Sequence, residues 1–321
     1  MAFTMKQIRF LIEYAFLRFI VLFFSLFPYE KGKELCGRAI GAIGWNLAKT
    51  HRERVLKNLS IAFPENSLEK NTEIALACFR NAGHQAIEFI QLDHMDEKWM
   101  DKYFEWESEG LAAVMKAKAA GKGIMFIVAH FGNWEMLNHS LHIKTGLHIN
   151  LLVAPLANPY ANEYVCNIRK RLGTTLIYPD DAGADILKAL KRGECAAFTS
   201  DQNAGRRGLF IPFFNQPAST HRGAAIYSYL SGAENFFIFA IRLPYGRFRV
   251  EIIPMGVLDR SRFASKDESI LDFTLQWVDV LEKYVRKYPD QYFWLHNRWK
   301  TKPLPEDIIQ KRIETKYHPY E

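Results

Sequence analysis

The stretch Gly123-Ile-Met-Phe-Ile-Val-Ala-His130-Phe-Gly132-Asn133-Trp-Glu135 constrains this chain more than any other. Its apolar run, Ile124 to Ala129, lies between a glycine and a polar turn, the pattern of a strand buried on both faces of a parallel or mixed sheet. After His130, Gly132 and Asn133, a new apolar pattern begins with Met136 and Leu137 and reads as a helix. Asn133 suits its N-cap, and Glu135 falls in the first turn, where a carboxylate complements the positive end of the helix dipole. In open α/β sheets ligands bind outside the carboxyl ends of strands, which is where His130 falls.

That spacing suggests a chemistry. A histidine at a strand end and a glutamate across a tight turn face each other if Gly132 takes a sharp backbone path. The carboxylate then holds one ring nitrogen, and the other is free to take a proton from a hydroxyl. No serine or cysteine lies inside the motif, so His130 reads as a base acting on the substrate's own hydroxyl. The bland alternative is a core histidine and a capping glutamate.

Along the chain, Ile8 to Phe27 is strongly apolar but is interrupted by Glu13 and Arg18 and ended by Pro28. It is borderline in length for a membrane span, and the charges favour a tilted or interfacial anchor, or a short span whose Arg18 snorkels. A buried first helix is the structural alternative. Lys31, Lys33 and Arg38 after the run, against Lys6 and Arg9 before it, favour a cytoplasmic body. Residues 1–30 therefore read as an anchor helix, residues 31–108 as a helical region and residues 109–321 as an α/β core. The core alternates helices with strands at Ile149 to Val153, Thr175 to Tyr178, Cys195 to Thr199, Phe236 to Ile241 and Phe248 to Ile253. The Cys195 strand delivers Ser200-Asp201-Gln202 at its carboxyl end, and the loop Asn203 to Gly208 carries Arg206 and Arg207. Phe210 to Phe214 reads as a strand or edge, Thr220 to Gly223 as the start of a helix, and Leu271 to Tyr288 as a final helix.

The net charge of +7 admits nucleic acid, an anionic membrane or an acidic partner. No nucleic-acid-binding motif is present, so nucleic acid is not expected as a partner. The four cysteines, Cys36, Cys78, Cys166 and Cys195, form no CxxC pair and read as reduced core thiols. Walker A, GxGxxG and GxSxG patterns are absent, as is HExxH beside His139, His142 and His148, so neither a cofactor nor a metal is expected.

His130-Phe-Gly-Asn-Trp-Glu135 resembles the HX4E motif of the lipid A biosynthesis acyltransferase family, the lauroyl and myristoyl transferases of Gram-negative bacteria. That family is a branch of the lysophospholipid acyltransferase superfamily, where HX4D is commoner. Asn158-Pro159 followed by Arg169 resembles its second block, and Ser200-Asp201-Gln202 with Phe210 to Phe214 its third. Gln291-Tyr-Phe-Trp294-Leu-His296-Asn-Arg298-Trp299-Lys300 resembles its C-terminal signature, and Arg54 to Asn58 with Phe63-Pro64-Glu65 its N-terminal helical region. Asn203 and Asn297 depart from the family's commoner residues and bear on acceptor choice.

The resemblance covers nearly the whole chain. It implies a mixed, mostly parallel central sheet flanked by helices, with a membrane-anchoring N-terminal helix. It also implies an O-acyltransferase moving a fatty acyl chain from an acyl carrier protein thioester to a hydroxyl of a lipid A precursor. In that mechanism Glu135 orients His130, and His130 deprotonates the acceptor. Arg169 or a backbone N–H near Gly132 stabilises the oxyanion, and the role of Asp201 is open between positioning and holding Arg169. Gly132 and Asn133 count with Arg169 and Asp201 as substrate-binding positions. The implied setting is the bacterial inner membrane, the catalytic body meeting its lipids on the cytoplasmic face. The same blocks occur in mycobacterial phosphatidylinositol mannoside acyltransferases, so a coenzyme A donor with another glycolipid acceptor is the alternative. A non-catalytic lipid-binding protein is the third reading.

Overall fold

The protein is described here from a computed structural model covering residues 4–26, 29–90, 92, 95–171, 173–178 and 182–304. Pro28, expected to end the first helix, lies outside these residues. The chain opens with α1 (Met5–Ser25), α2 (Tyr29–Leu47), α3 (Lys49–Ala62), α4 (Leu68–Ile90) and α5 (Glu97–Tyr103). It continues through β1 (Phe104–Trp106), α6 (Ser108–Ala119), β2 (Ile124–Gly132), α7 (Trp134–Thr145), β3 (Ile149–Leu152), α8 (Pro159–Arg171), β4 (Thr174–Ile177), α9 (Ala182–Lys191) and β5 (Cys195–Thr199). It ends with β6 (Leu209–Phe213), β7 (Gln216–Thr220), α10 (Gly223–Ser231), β8 (Glu234–Arg242), β9 (Phe248–Val257) and α11 (Lys266–Lys287).

Seven strands form one sheet in the order β1-β9-β8-β2-β5-β3-β4, while β6 and β7 form a separate hairpin. Every pairing in the large sheet is parallel except β8 with β9. Strand β2 is central because it is apolar on both faces. Met125, Ile127, Ala129 and Phe131 enter one hydrophobic cluster, and Ile124, Phe126 and Val128 enter the other. This is the period-two alternation of a strand covered by helices on both sides.

The expected mixed, mostly parallel sheet flanked by helices is thus present. Strand β2 outruns its expected end at Ala129. Its pairing with β8 becomes irregular after Val128 and resumes at Gly132 opposite Ala240, so His130 lies in the irregular stretch. Strand β1 falls within residues 31–108, the expected helical region; three residues are too few to show a periodicity. Residues Gln216 to Thr220 form a strand, and the following helix begins at Gly223.

Helix α1 resolves the tension between its apolar run and its charges. Phe10, Tyr14 and Arg18 turn toward α8. Tyr14 packs on Tyr160 and Tyr164, and the Arg18 guanidinium lies 5.0 Å from the Tyr164 ring centre. Glu13 accepts a hydrogen bond from Asn158 Nδ2 at 3.0 Å. On the opposite face Ile12, Phe16, Phe19 and Leu22 are each 64% exposed. Among the described residues no helix is long and apolar enough to cross a membrane.

The helical region does not stand apart from the sheet. Val55, Leu59 and Phe63 share one core cluster with Phe213, Phe214, Trp294 and Trp299. Buried Asn58 donates through Nδ2 to the carbonyls of Trp294 and His296, both at 2.8 Å. Arg54 reaches the Leu295 carbonyl at 3.1 Å, and Asn81 the Asp290 carbonyl at 2.8 Å. Asn58→Ala leaves two buried carbonyls without their donor. It should destabilise the protein by ~1–3 kcal/mol in a denaturant titration, since an unsatisfied buried group costs about that much.

Candidate active site

The site forms where the carboxyl ends of the neighbouring parallel strands β2 and β5 open, as the sheet topology favours. Gly132 makes the turn out of β2 possible. Its φ is +58°, and a Cβ there would lie 1.8 Å from the Ala240 carbonyl oxygen, so glycine is required on both counts. Asn133 follows as the N-cap of α7: its side chain accepts from the Met136 N–H at 3.0 Å. Its Nδ2 donates to Glu88, which is itself paired with Arg242. Asn133 is fully buried and holds the turn at the start of α7.

His130 is 19% exposed at its side chain. Its backbone carbonyl accepts from the Phe293 N–H at 2.9 Å, and its ring packs edge-on to Trp134 at 4.9 Å and tilted to Phe293 at 6.0 Å. Its Nδ1 lies 2.7 Å from Asp201 Oδ1. A carboxylate accepts, so Nδ1–H is the donor to Asp201, and in the neutral ring Nε2 is then the acceptor. The second contact agrees: Gln202 Nε2 lies 3.1 Å from His130 Nε2, an amide donor facing an imidazole acceptor.

The partner of His130 therefore differs from the one the spacing suggested. Glu135 is turned away, toward α8, where its two oxygens take Arg169 Nε at 3.1 Å and Nη2 at 2.5 Å. Burial opposes the Arg169 charge, and Glu135 outweighs it, leaving the guanidinium pKa above its ordinary value. Asp201, whose role sequence left open, takes the orienting position. Burial works to raise the Asp201 pKa, yet the His130 ring and then Arg298 hold it below the ordinary carboxylate value. All four ionisable residues expected here are thus drawn into two pairs, His130 with Asp201 and Glu135 with Arg169.

Gln202 and the C-terminal segment join the site without a spacing signal of their own in the sequence pattern, although both lie in motif blocks. Tyr292 donates to the Asp201 carbonyl at 3.4 Å. His296 Nε2 accepts from the Asn203 N–H at 2.8 Å, and its pKa is lowered to about 4 by burial, which Asp201 opposes and the charges of Arg298, His130 and Arg54 reinforce. The signal for this cluster was the density of histidine, arginine and tyrosine between Gln291 and Lys300. Among the described residues no group of three or more histidine, cysteine, aspartate or glutamate side chains is disposed to hold a metal.

The bidentate pair gives a stability prediction. Glu135→Ala and Arg169→Ala should each destabilise by ~1–3 kcal/mol, because each strands a partly buried partner. The double variant should lose less than the sum of the two, with a coupling of about 0.5–3 kcal/mol in a double-mutant cycle. Additive losses would mean that the pair is not energetically coupled.

With the geometry in place, the likenesses of the chain become informative. Residues 3–301 match the profile of the family described as bacterial lipid A biosynthesis acyltransferase. The chain is 27% identical over 287 residues to a lipid A biosynthesis palmitoleoyltransferase of Escherichia coli, covering 85% of this chain and 86% of that protein. It is 26% identical over 274 residues to a lipid A biosynthesis lauroyltransferase of the same organism, covering 83% and 85%. A lipid A biosynthesis acyltransferase of Haemophilus influenzae is 23% identical over 293 residues, covering 90% and 88%. A mostly parallel α/β sheet with His130 at a strand end and a family match over residues 3–301 lead to one assignment: the chain is an acyltransferase and belongs to the bacterial lipid A biosynthesis acyltransferase family.

Proposed function

We propose that this enzyme moves a fatty acyl chain from an acyl carrier protein thioester to a hydroxyl of a lipid A precursor, with His130 as the general base and Asp201 as its orienting carboxylate. The observation that carries the reading is the 2.7 Å contact of His130 Nδ1 with Asp201, which leaves a bare Nε2 in a partly exposed aromatic setting. The acceptor hydroxyl displaces the Gln202 amide from Nε2 and gives it a proton as its oxygen bonds to the thioester carbon. The tetrahedral oxyanion then collapses, the carbon–sulfur bond breaks, and the leaving thiolate takes the proton back from Nε2. The Trp134 and Glu135 N–H groups, in the first turn of α7 and outside its capping bond, supply donors for the oxyanion, and Arg169 adds positive charge nearby. Glu135 fixes Arg169 in this role.

The exposed apolar face of α1 supports attachment to the cytoplasmic side of the bacterial inner membrane, where such an acceptor resides. A helix with an exposed apolar stripe, flanked by surface charges such as Glu13 and Arg18 on its α8 side, suits the plane of the interface. The basic balance of the chain favours both an acidic carrier and anionic lipid.

Wild-type enzyme, given a labelled acyl carrier protein thioester and a lipid A precursor, should form acylated product. His130→Ala should lower the rate by about 10²–10⁴-fold, the usual worth of a positioned base. Equal rates would overturn the base assignment. Turnover with coenzyme A thioesters alone would overturn the donor assignment. Separately, a Phe16→Asp, Phe19→Asp double variant should lose flotation with anionic vesicles while keeping transfer in detergent micelles; unchanged flotation would contradict the interfacial role of α1.

A further inference from the structure

Arg298 is the largest charged side chain in the interior, 1% exposed. It lies in the C-terminal segment that closes over the site. Its Nη1 donates to the Ser219 carbonyl at 2.5 Å and its Nη2 to Thr220 Oγ1 at 2.6 Å. Its guanidinium sits 5.5 Å from the centre of the Phe213 ring. These partners are neutral. Its Nε has no hydrogen-bond partner, and among the described residues no carboxylate lies within ion-pairing distance. A buried cation of this kind needs compensating charge nearby.

That charge is Asp201. Arg298 lies in one buried cluster with Asp201: its Nη2 donates to Thr220 Oγ1, and Thr220 bridges Asn203, two residues past Asp201. Tyr292, His221 and His296 are the other titratable groups that feel its charge, and Asp201 is the one carboxylate among them. The Tyr292 hydroxyl donates to the Asp201 backbone carbonyl at 3.4 Å. Tyr292 is itself 4% exposed, so no solvent screens the interaction. Burial lowers the Arg298 pKa below its ordinary value, and Tyr292 and Asp201 offset that only in part. A tie between β7 and the C-terminal segment needs a donor such as glutamine; it does not need a buried permanent cation.

We propose that Arg298 is a positioning residue for the transfer reaction: a fixed buried cation that acts through Asp201, keeping it ionised so that His130 holds its proton on Nδ1 and presents Nε2 bare. This rests on the reading of His130 and Asp201 as base and orienter. Removing the cation raises the proton affinity of the His130–Asp201 pair, so the base is neutralised by protonation at a higher pH. The acid limb of kcat/KM, which reports the free enzyme, must then move upward.

The test is the pH profile of kcat/KM for Arg298→Gln and Arg298→Lys beside wild type, all with the same donor and acceptor. Arg298→Gln should shift the acid limb up by about one pH unit, the low end for loss of a neighbouring opposite charge. Arg298→Lys should leave the limb within about 0.3 unit of wild type even if kcat falls. Repeating the pair in His221→Gln and His296→Gln backgrounds separates those rings, and the shift should persist in both. A uniformly lower rate with an unmoved limb would overturn the proposal, as would equal shifts in the glutamine and lysine variants. If Arg298→Gln fails to fold, Tyr292→Phe decides: it keeps the charge but removes the hydroxyl that braces the Asp201 carbonyl beside it, and should shift the limb upward by a smaller amount, with an unmoved limb counting against the proposal. His130→Ala and Asp201→Asn run in the same assay. If they retain transfer, the base reading itself has failed; if they lose it while the Arg298→Gln limb stays in place, Arg298 alone is misassigned.

Discussion

The contact between His130 Nδ1 and Asp201 joins the carboxyl ends of two adjacent parallel strands, β2 and β5. Much of the surrounding structure serves to hold that contact in place. Gly132 turns the chain sharply after the histidine, and Asn133 caps α7 while resting on the buried Glu88–Arg242 pair. From the other side, the Phe293 N–H fixes the His130 carbonyl and Tyr292 braces the Asp201 carbonyl. A base of this type depends on a fixed tautomer, and a fixed tautomer depends on a carboxylate that cannot swing away.

The C-terminal segment from Gln291 to Lys300 is what makes the helical region and the sheet act as one body. Helices α3 and α4 hold it through Asn58, Arg54 and Asn81, while its own aromatic and cationic side chains line the enclosure around Asp201. Gln291 also pairs with the backbone of Arg242 at the end of β8, through bonds of 2.8 and 3.0 Å. The segment therefore couples α3 and α4 to the His130–Asp201 pair, although it lies near the end of the chain and has little regular structure.

The central strand, the cap at Asn133 and the His130 position were legible because each rests on local rules: period-two alternation, capping chemistry and a turn glycine. The identity of the histidine's carboxylate was not legible, because it depends on strand order. Glu135 is five residues from His130 in sequence, yet its place in the first turn of α7 points it at Arg169 on α8. Asp201 is 71 residues away and meets His130 only because β5 is inserted beside β2, between it and β3. The charges of α1 present the same lesson: Glu13 and Arg18 interrupt the apolar run in sequence but share the face turned to α8. Strand β1 escaped detection because three residues carry no period.

The central claim, that Asp201 and not Glu135 sets the state of His130, is tested most directly by nitrogen-15 NMR of histidine-labelled enzyme. The account predicts a His130 ring protonated at Nδ1 and bare at Nε2, a state lost in Asp201→Asn and kept in Glu135→Gln. A ring protonated at Nε2 in the wild type, or a tautomer that changes with Glu135→Gln and not with Asp201→Asn, would contradict it.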